Sequence, residues 1–587
     1  MPPVPATTTA TRPNGHATSR RTGTLALLAI AVPAAVLIFT PVWADPFHRT
    51  LGSAFHTNDP MQTMWFLKWV PWQLAHHHDP LTTHAIYYPD GVSLSWNTVM
   101  PTLGVLAAPL TYTVGPAFTF ALLMTAAPAL TSLTGFWWLR RHCRHTAPAI
   151  VGGLVVGFNP FIGGHLLGHL NLAFTALIPL MLMLVEDLLW RRPRPQRRTA
   201  VYLGLVTAAQ AGISEELILI TLIGALFALG ASAVVSPAEV RAAVGSSWRY
   251  LAGAIAIFLL AGSPLLVHQL FASRRVPLAA AVWRANVGDY LAPIGRQLFD
   301  PGWQHTTRLG QAEDGVYLGP MLIATLVVAV VVTVRRDRWV RVAATAMAGL
   351  VVLTFGDARV FGVPMPWRLA EHLPVLESIL PARFGFASFL ALAWLVARWL
   401  DALAGTAVIG ARRERVSSVL AACAVVVAVA TIAPAQVGAV ALPARVPFFT
   451  SATMRQMLPT GSPVLLLPVP TFHDASGMYY QLQADFWFSQ PGGYALRPDG
   501  SQGVSYGPSN SALVQLSATA NNGSSDFATI DVAAGRQQLG AQRYRAVIVV
   551  PSEPHGRELI ALAELLTGRP ADRATGGVLI WLLTPGG

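Results

Sequence analysis

TLALLAIAVPAAVLIFTPVW (24–43) decides the fold class. It carries no charge and has the length, roughly 20 residues, that a helix needs to cross a bilayer. It is too long for a signal-peptide core and has no small-residue cleavage site, so it reads as a retained anchor. Before it, MPPVPATTTATRPNGHATSRR is polar, Pro/Thr-rich and basic, which predicts a disordered cytoplasmic tail over residues 1–22. After it, HTNDPMQTMWFLKW (56–69) places His56, Asn58, Asp59 and Lys68 just where the first helix leaves the bilayer.

The whole chain repeats the opening pattern. It has 587 residues, 53% hydrophobic and 12% charged, with a mean hydropathy of +0.49. A soluble chain would be about a quarter charged. Apolar runs of spanning length predict about eleven transmembrane helices between residues 23 and 438. The segment TVMPTLGVLAAPLTYTVG (98–115) is short and holds two prolines, so it is expected to be interfacial or re-entrant. The net charge of +12 is spread over short runs beside apolar spans, RRHCRH (140–145), RRPRPQRR (191–198), RRDRWVR (335–341) and ARRER (411–415). That is a positive-inside pattern, not a nucleic-acid surface. It puts the N-terminus in the cytoplasm and the C-terminus outside the plasma membrane, with outer loops at 44–97 and 271–315. Cys143 and Cys423 are too far apart to suggest a disulfide framework or a Cys-based metal site.

Residues 439–587 read differently. GSPVLLLPVP (461–470), YRAVIVV (544–550) and GGVLIWLL (576–583) predict buried strands, whereas DVAAGRQQLGAQ (531–542) and GRELIALAELLTG (556–568) predict helices. The alternation implies a small extracytoplasmic α/β domain.

Several polar groups gather on the predicted outer side. Asp59 is followed by Pro60 and, three residues on, Gln62, a helix-start signal that would spend the carboxylate on capping. The aromatic-rich helix after it suits the headgroup layer. His165 and His169 share a helix face in GGHLLGHLN, and a phosphate-facing or satisfied histidine pair fits them better than a metal with no third ligand. HHHD (76–79) suits a solvated helix end, and Glu313–Asp314 an N-cap. Glu215–Glu216 is an acidic pair at a helix junction, suited to sugar hydroxyls, a cation or capping. MYYQLQADFWFSQPGGY (478–494) offers aromatic faces and amides for either a core or a carbohydrate surface. Phosphate-cradling glycine loops, HExxH, nucleophile elbows and dinucleotide fingerprints are absent from the sequence.

A first transmembrane helix, a large outer loop opening with an acidic motif and a following aromatic helix together resemble the GT-C superfamily. Those proteins are integral-membrane glycosyltransferases using lipid-linked sugar donors. The likeness extends through YYPDGVSLSWNTVMPTLGVLAAPLTYTVGPA (87–117), GHLNLAFTALIPLMLMLVEDLL (168–189) and EDGVYLG (313–319), and is similar to actinobacterial members. The resemblance implies transfer from a polyprenyl-phosphate sugar to an extracytoplasmic envelope glycan or lipid. Asp59 would be the general base. Arg383, Arg284, His165 and His169 would face the donor phosphate, with Arg296 and Arg308 as further cations. His56, Asn58, Glu215 and Glu216 would bind substrate. Many members carry a pair of acids where Asn58–Asp59 supplies one carboxylate. No metal ligand set is implied, and a divalent cation stays open as a cofactor. The rival expectation is a transporter or flippase of lipid-linked precursors, or a non-catalytic envelope-assembly protein. Membrane lipids are expected partners, and nucleic acid is not.

Overall fold

A computed structural model describes residues 14–52, 58–272, 283–293, 295–300, 315–370, 373, 376, 379–498, 504–508, 511–528 and 530–583. His56, Arg308 and Glu313–Asp314 lie outside them. The opening helix, Asn14–Ile38, begins earlier than the apolar run, so residues 14–22 of the segment expected to be disordered are helical.

Among the described residues seven helices are long and apolar enough to cross a membrane: Arg21–Ile38, Pro116–Leu139, Thr146–His165, Leu170–Arg191, Glu215–Val235, Pro237–Ala261 and Pro381–Val408. The other expected crossings fall on Gln196–Ala211, Gly319–Thr333 and Arg338–Thr354, all shorter than 18 residues, and on Arg412–Ala430, which opens with RRER. Helix Pro101–Thr113 has 13 residues, about 20 Å of rise against a hydrocarbon core of roughly 30 Å. Small residues let the central helices touch. A Cβ on Gly153 would lie 2.8 Å from the Ser132 carbonyl oxygen on helix Pro116–Leu139, so only glycine permits that approach.

Helix Asn58–Ala75 departs from expectation. It is buried on nearly every face, held between Pro101–Thr113, Pro116–Leu139 and Ser476–Gln483. Its aromatic side chains Trp65, Phe66 and Trp69 are buried within the protein. Trp65 and Trp69 stack at 4.7 Å, and Phe486 packs edge-on against them at 5.2 and 5.1 Å. Lys68 is buried because its ammonium meets Asp485 at 2.5 Å and the Leu482 carbonyl at 2.9 Å, and a buried charge needs such partners.

Residues 462–582 contribute a five-stranded sheet in the spatial order Arg573–Thr575, Val578–Leu582, Ala546–Val549, Ser462–Leu467, Phe488–Ser489. Ala546–Val549 runs parallel to Ser462–Leu467 and antiparallel to Val578–Leu582. Side chains alternate between two cores. Leu465, Leu467, Val547, Val549 and Trp581 face one, while Val464, Leu466, Ala546, Ile548 and Ile580 face the other. Helix Gly556–Thr567 buries Leu559, Leu562, Ala563 and Leu566 against the first, a stripe of helical period. It stops at Gly568, whose φ of +70° is the usual left-handed helix terminus.

Residues 481–496, beside this sheet, are laced to the first loop. The Tyr87 hydroxyl donates to the Ala495 carbonyl (2.8 Å) and accepts from its N–H (2.9 Å). The Asn97 amide exchanges two bonds with the Leu496 backbone. Gln481 joins the Trp65 indole (2.8 Å) to the Ala85 carbonyl (2.7 Å). Strand Arg49–Leu51 pairs antiparallel with Ala439–Ala441, tying the start of that loop to the end of the helical region.

Candidate active site

The first turn of helix Asn58–Ala75 is built by contacts from distant segments. Asn58 donates its amide N–H to the Phe472 carbonyl (2.7 Å) and accepts from the Ala475 N–H (3.0 Å). The side chain expected to bind substrate therefore docks the 472–475 loop. Gln62 does not close a capping box; its amide donates to the Tyr494 carbonyl at 2.7 Å. Between them the Asp59 carboxylate turns toward side chains. The Tyr494 hydroxyl donates to Oδ1 at 2.5 Å, and His169 Nε2 stands 3.3 Å from Oδ2. Both Asp59 and His169 keep about a fifth of their side chains exposed, 21% and 20%, so a small ligand group has access to the pair.

Gly168 makes the His169 approach possible. Its φ is +145°, and a Cβ there would come within 2.9 Å of Pro60 Cδ and 3.0 Å of Asp59 Cβ. Thr63 clamps the same residue by donating to its carbonyl at 3.2 Å. The histidine loop thus lies directly on the helix start, which only a residue without a side chain allows.

From His169 the cluster continues inward. The His165 ring lies 5.7 Å from that of His169, centroid to centroid, and is fully buried. Its Nδ1 donates to the Phe161 carbonyl at 2.7 Å. Arg383 and His169 are its electrostatic neighbours. Arg383 pairs with Glu216, whose other oxygen accepts from the Leu380 N–H at 3.3 Å. Glu215 diverges from Glu216 and accepts from Gln269 at 3.0 Å. Arg284 lies near Arg383, since Ala382 donates to the Trp283 carbonyl at 3.1 Å, but its guanidinium is bound to Asp357. Arg296 belongs elsewhere, on the stretch whose carbonyl accepts from Ala435.

Asp59, His169 and His165 therefore meet in one cluster, and the Arg383–Glu216 pair acts on it electrostatically. Tyr494 is the member that sequence reading missed as a site residue. It sits 435 positions from Asp59, in an aromatic-rich stretch where nothing local marks one tyrosine from another. HHHD stays structural, with Asp79 accepting from Leu81 N–H at 2.9 Å and Thr82 Oγ1 at 3.0 Å. Among the described residues no group of three His, Cys, Asp or Glu side chains is arranged to hold a metal ion.

The family model described as a domain of unknown function (DUF6311) matches residues 26–433. No curated protein matches the chain. Among solved structures, the chain is similar to the archaeal oligosaccharyltransferase AglB from Archaeoglobus fulgidus, in complex with an inhibitory peptide and a dolichol-phosphate. The identity is 13% and the TM-score 0.48, over 94% of this chain and 72% of that one. It is also similar to the arabinofuranosyltransferase AftD from mycobacteria, at 14% identity and TM-score 0.47, over 96% of this chain and 40% of that one. Scores below 0.5 leave the function to be read from this chain's own residues.

Proposed function

We propose that this chain, which belongs to the DUF6311 family by its match over residues 26–433, is a glycosyltransferase of the GT-C type. It moves a sugar from a polyprenyl-phosphate donor to an envelope glycan or lipid on the extracytoplasmic side of the plasma membrane. About eleven crossings put the N-terminus in the cytoplasm and residues 439–587 outside.

The observation that carries the reading is the meeting of Asp59 with His169 and His165, from separate segments, with the Arg383 charge acting on His165. In the proposed step Asp59 takes the proton of an acceptor hydroxyl while that oxygen bonds to the anomeric carbon. The bond from that carbon to the phosphate oxygen breaks, and polyprenyl phosphate leaves with the electron pair. A positioned base of this kind contributes about 10²–10⁴-fold. Arg383 and His169 face the charge that grows on the leaving phosphate. Tyr494 and His169 hold the two carboxylate oxygens, so the base is aimed before substrate arrives.

The test incubates the purified full chain with a panel of polyprenyl-phosphate sugars in lipid nanodiscs and follows donor consumption. Wild-type turnover that Asp59→Asn abolishes at unchanged melting temperature supports transfer. Translocation of an intact lipid-linked sugar across proteoliposomes, with equal rates in both proteins, would replace the reading with a flippase.

A further inference from the structure

One ring nitrogen of His165 is unlike the rest of its site. Nδ1 lies 2.7 Å from the Phe161 carbonyl oxygen, which can only accept, so Nδ1 carries the hydrogen. In the neutral ring Nε2 is then an acceptor with its lone pair outward. That atom is buried and has no hydrogen-bond partner among the described residues. Buried polar atoms are nearly always satisfied, by the chain, by water or by a ligand.

The surroundings narrow the chemistry of that partner. The ring sits 5.7 Å from His169, which reaches Asp59, and the Arg383 charge acts on it. Arg383 is itself paired with Glu216. The missing group must bring an O–H or N–H. An ionised phosphate oxygen brings only lone pairs and would repel Nε2, which argues against the phosphate-facing role that sequence spacing suggested for this residue.

We infer that His165 Nε2 accepts a hydrogen bond from a hydroxyl of the sugar being transferred, leaving the donor phosphate to Arg383 and His169. This rests on the glycosyltransferase reading and adds a sugar-recognising residue beside the base. His165 would then select for a hydroxyl at that position, because a ligand lacking it leaves the buried lone pair unmet.

The experiment measures binding of two probes to the full chain in nanodiscs, a polyprenyl phosphate and the same lipid bearing a hexose, for wild type, His165→Leu and His165→Gln. The glutamine oxygen can stand near the Nε2 position. The expected result is that His165→Leu binds the sugar-free lipid within about twofold of wild type and the hexose-bearing lipid about tenfold more weakly, the size of one hydrogen bond. His165→Gln recovers most of that loss. Equal weakening for both probes would assign His165 to the phosphate and overturn the inference, while leaving the transferase reading intact. No weakening for either probe would make the atom's partner a water and overturn it as well. Failure of wild type to bind either lipid would remove the transferase reading, and the inference with it.

Discussion

The two ends of the same pair of spans are built on different rules. At one end of Thr146–His165 and Leu170–Arg191, every carboxylate faces a cation. Asp187 meets Arg141 and Arg194, Glu186 meets Arg141 and Arg191, and Asp401 meets Arg398 at 3.9 Å. At the other end, Asp59 meets a tyrosine hydroxyl and a histidine, and the buried His165 Nε2 has no partner among the described residues. The first cluster is an ion-pair network that locks helix ends. The second leaves its acid aimed by a hydroxyl and an imidazole, with about a fifth of the side chain exposed, a common mark of a site that binds something.

Breaking each end should give opposite signatures. Arg141→Gln leaves Asp187, only 4% exposed, with a weakened partner set, and should lose on the order of 3 kcal/mol of stability. Thermal unfolding in detergent reads the loss, and transfer per folded molecule should not change. Gly168→Ala adds a Cβ that meets Pro60 and Asp59 at a φ unsuited to alanine. A loss of about 2 kcal/mol is expected, and here transfer per folded molecule should fall as well. Tyr494→Phe removes one donor to the Asp59 carboxylate. Its melting temperature should move by no more than about 1 kcal/mol implies, while donor consumption slows about tenfold; unchanged consumption would make the contact purely structural.

The smallest effect separates the sheet from both clusters. Burial raises the Glu553 carboxyl above its ordinary value, with Asp474 adding to the rise against the Tyr480 hydrogen bond. The folded state therefore holds that proton more tightly than the unfolded chain. The stabilising contribution is full below the unfolded value and is lost as pH rises through the folded one. Glu553→Gln should flatten this dependence, gaining a few tenths of a kcal/mol relative to wild type near pH 7 and none near pH 4. Melting curves at the two pH values check the sign.

Local pattern makes much of this architecture legible in the sequence. The strands at 462–467, 546–549 and 578–582 and the helices at 532–541 and 556–567 stand inside the segments that composition and period marked out. Asp59 stands out by its helix-start pattern, His165 and His169 by their spacing, and Glu216 by the cost of a paired acid beside hydrocarbon, while Arg383 enters through the family resemblance. What escaped was long-range. The helix bearing Lys68 suits the headgroup layer by local pattern because Lys68's partner Asp485 lies 417 residues on. Asn58 read as a ligand for substrate because the backbone it holds begins at Phe472. Arg284 and Arg383 each carry an acid, Asp357 and Glu216, that lies too far along the chain for local pattern to reveal.

The central claim is that Asp59 does chemistry where Asp187 only holds structure. Single-turnover consumption of a polyprenyl-phosphate sugar by wild type, Asp59→Asn and Asp187→Asn, each normalised to folded protein, tests it most directly. The account predicts a loss of at least about 10²-fold for Asp59→Asn alone, with Asp187→Asn close to wild type. Equal rates for Asp59→Asn and wild type would contradict it.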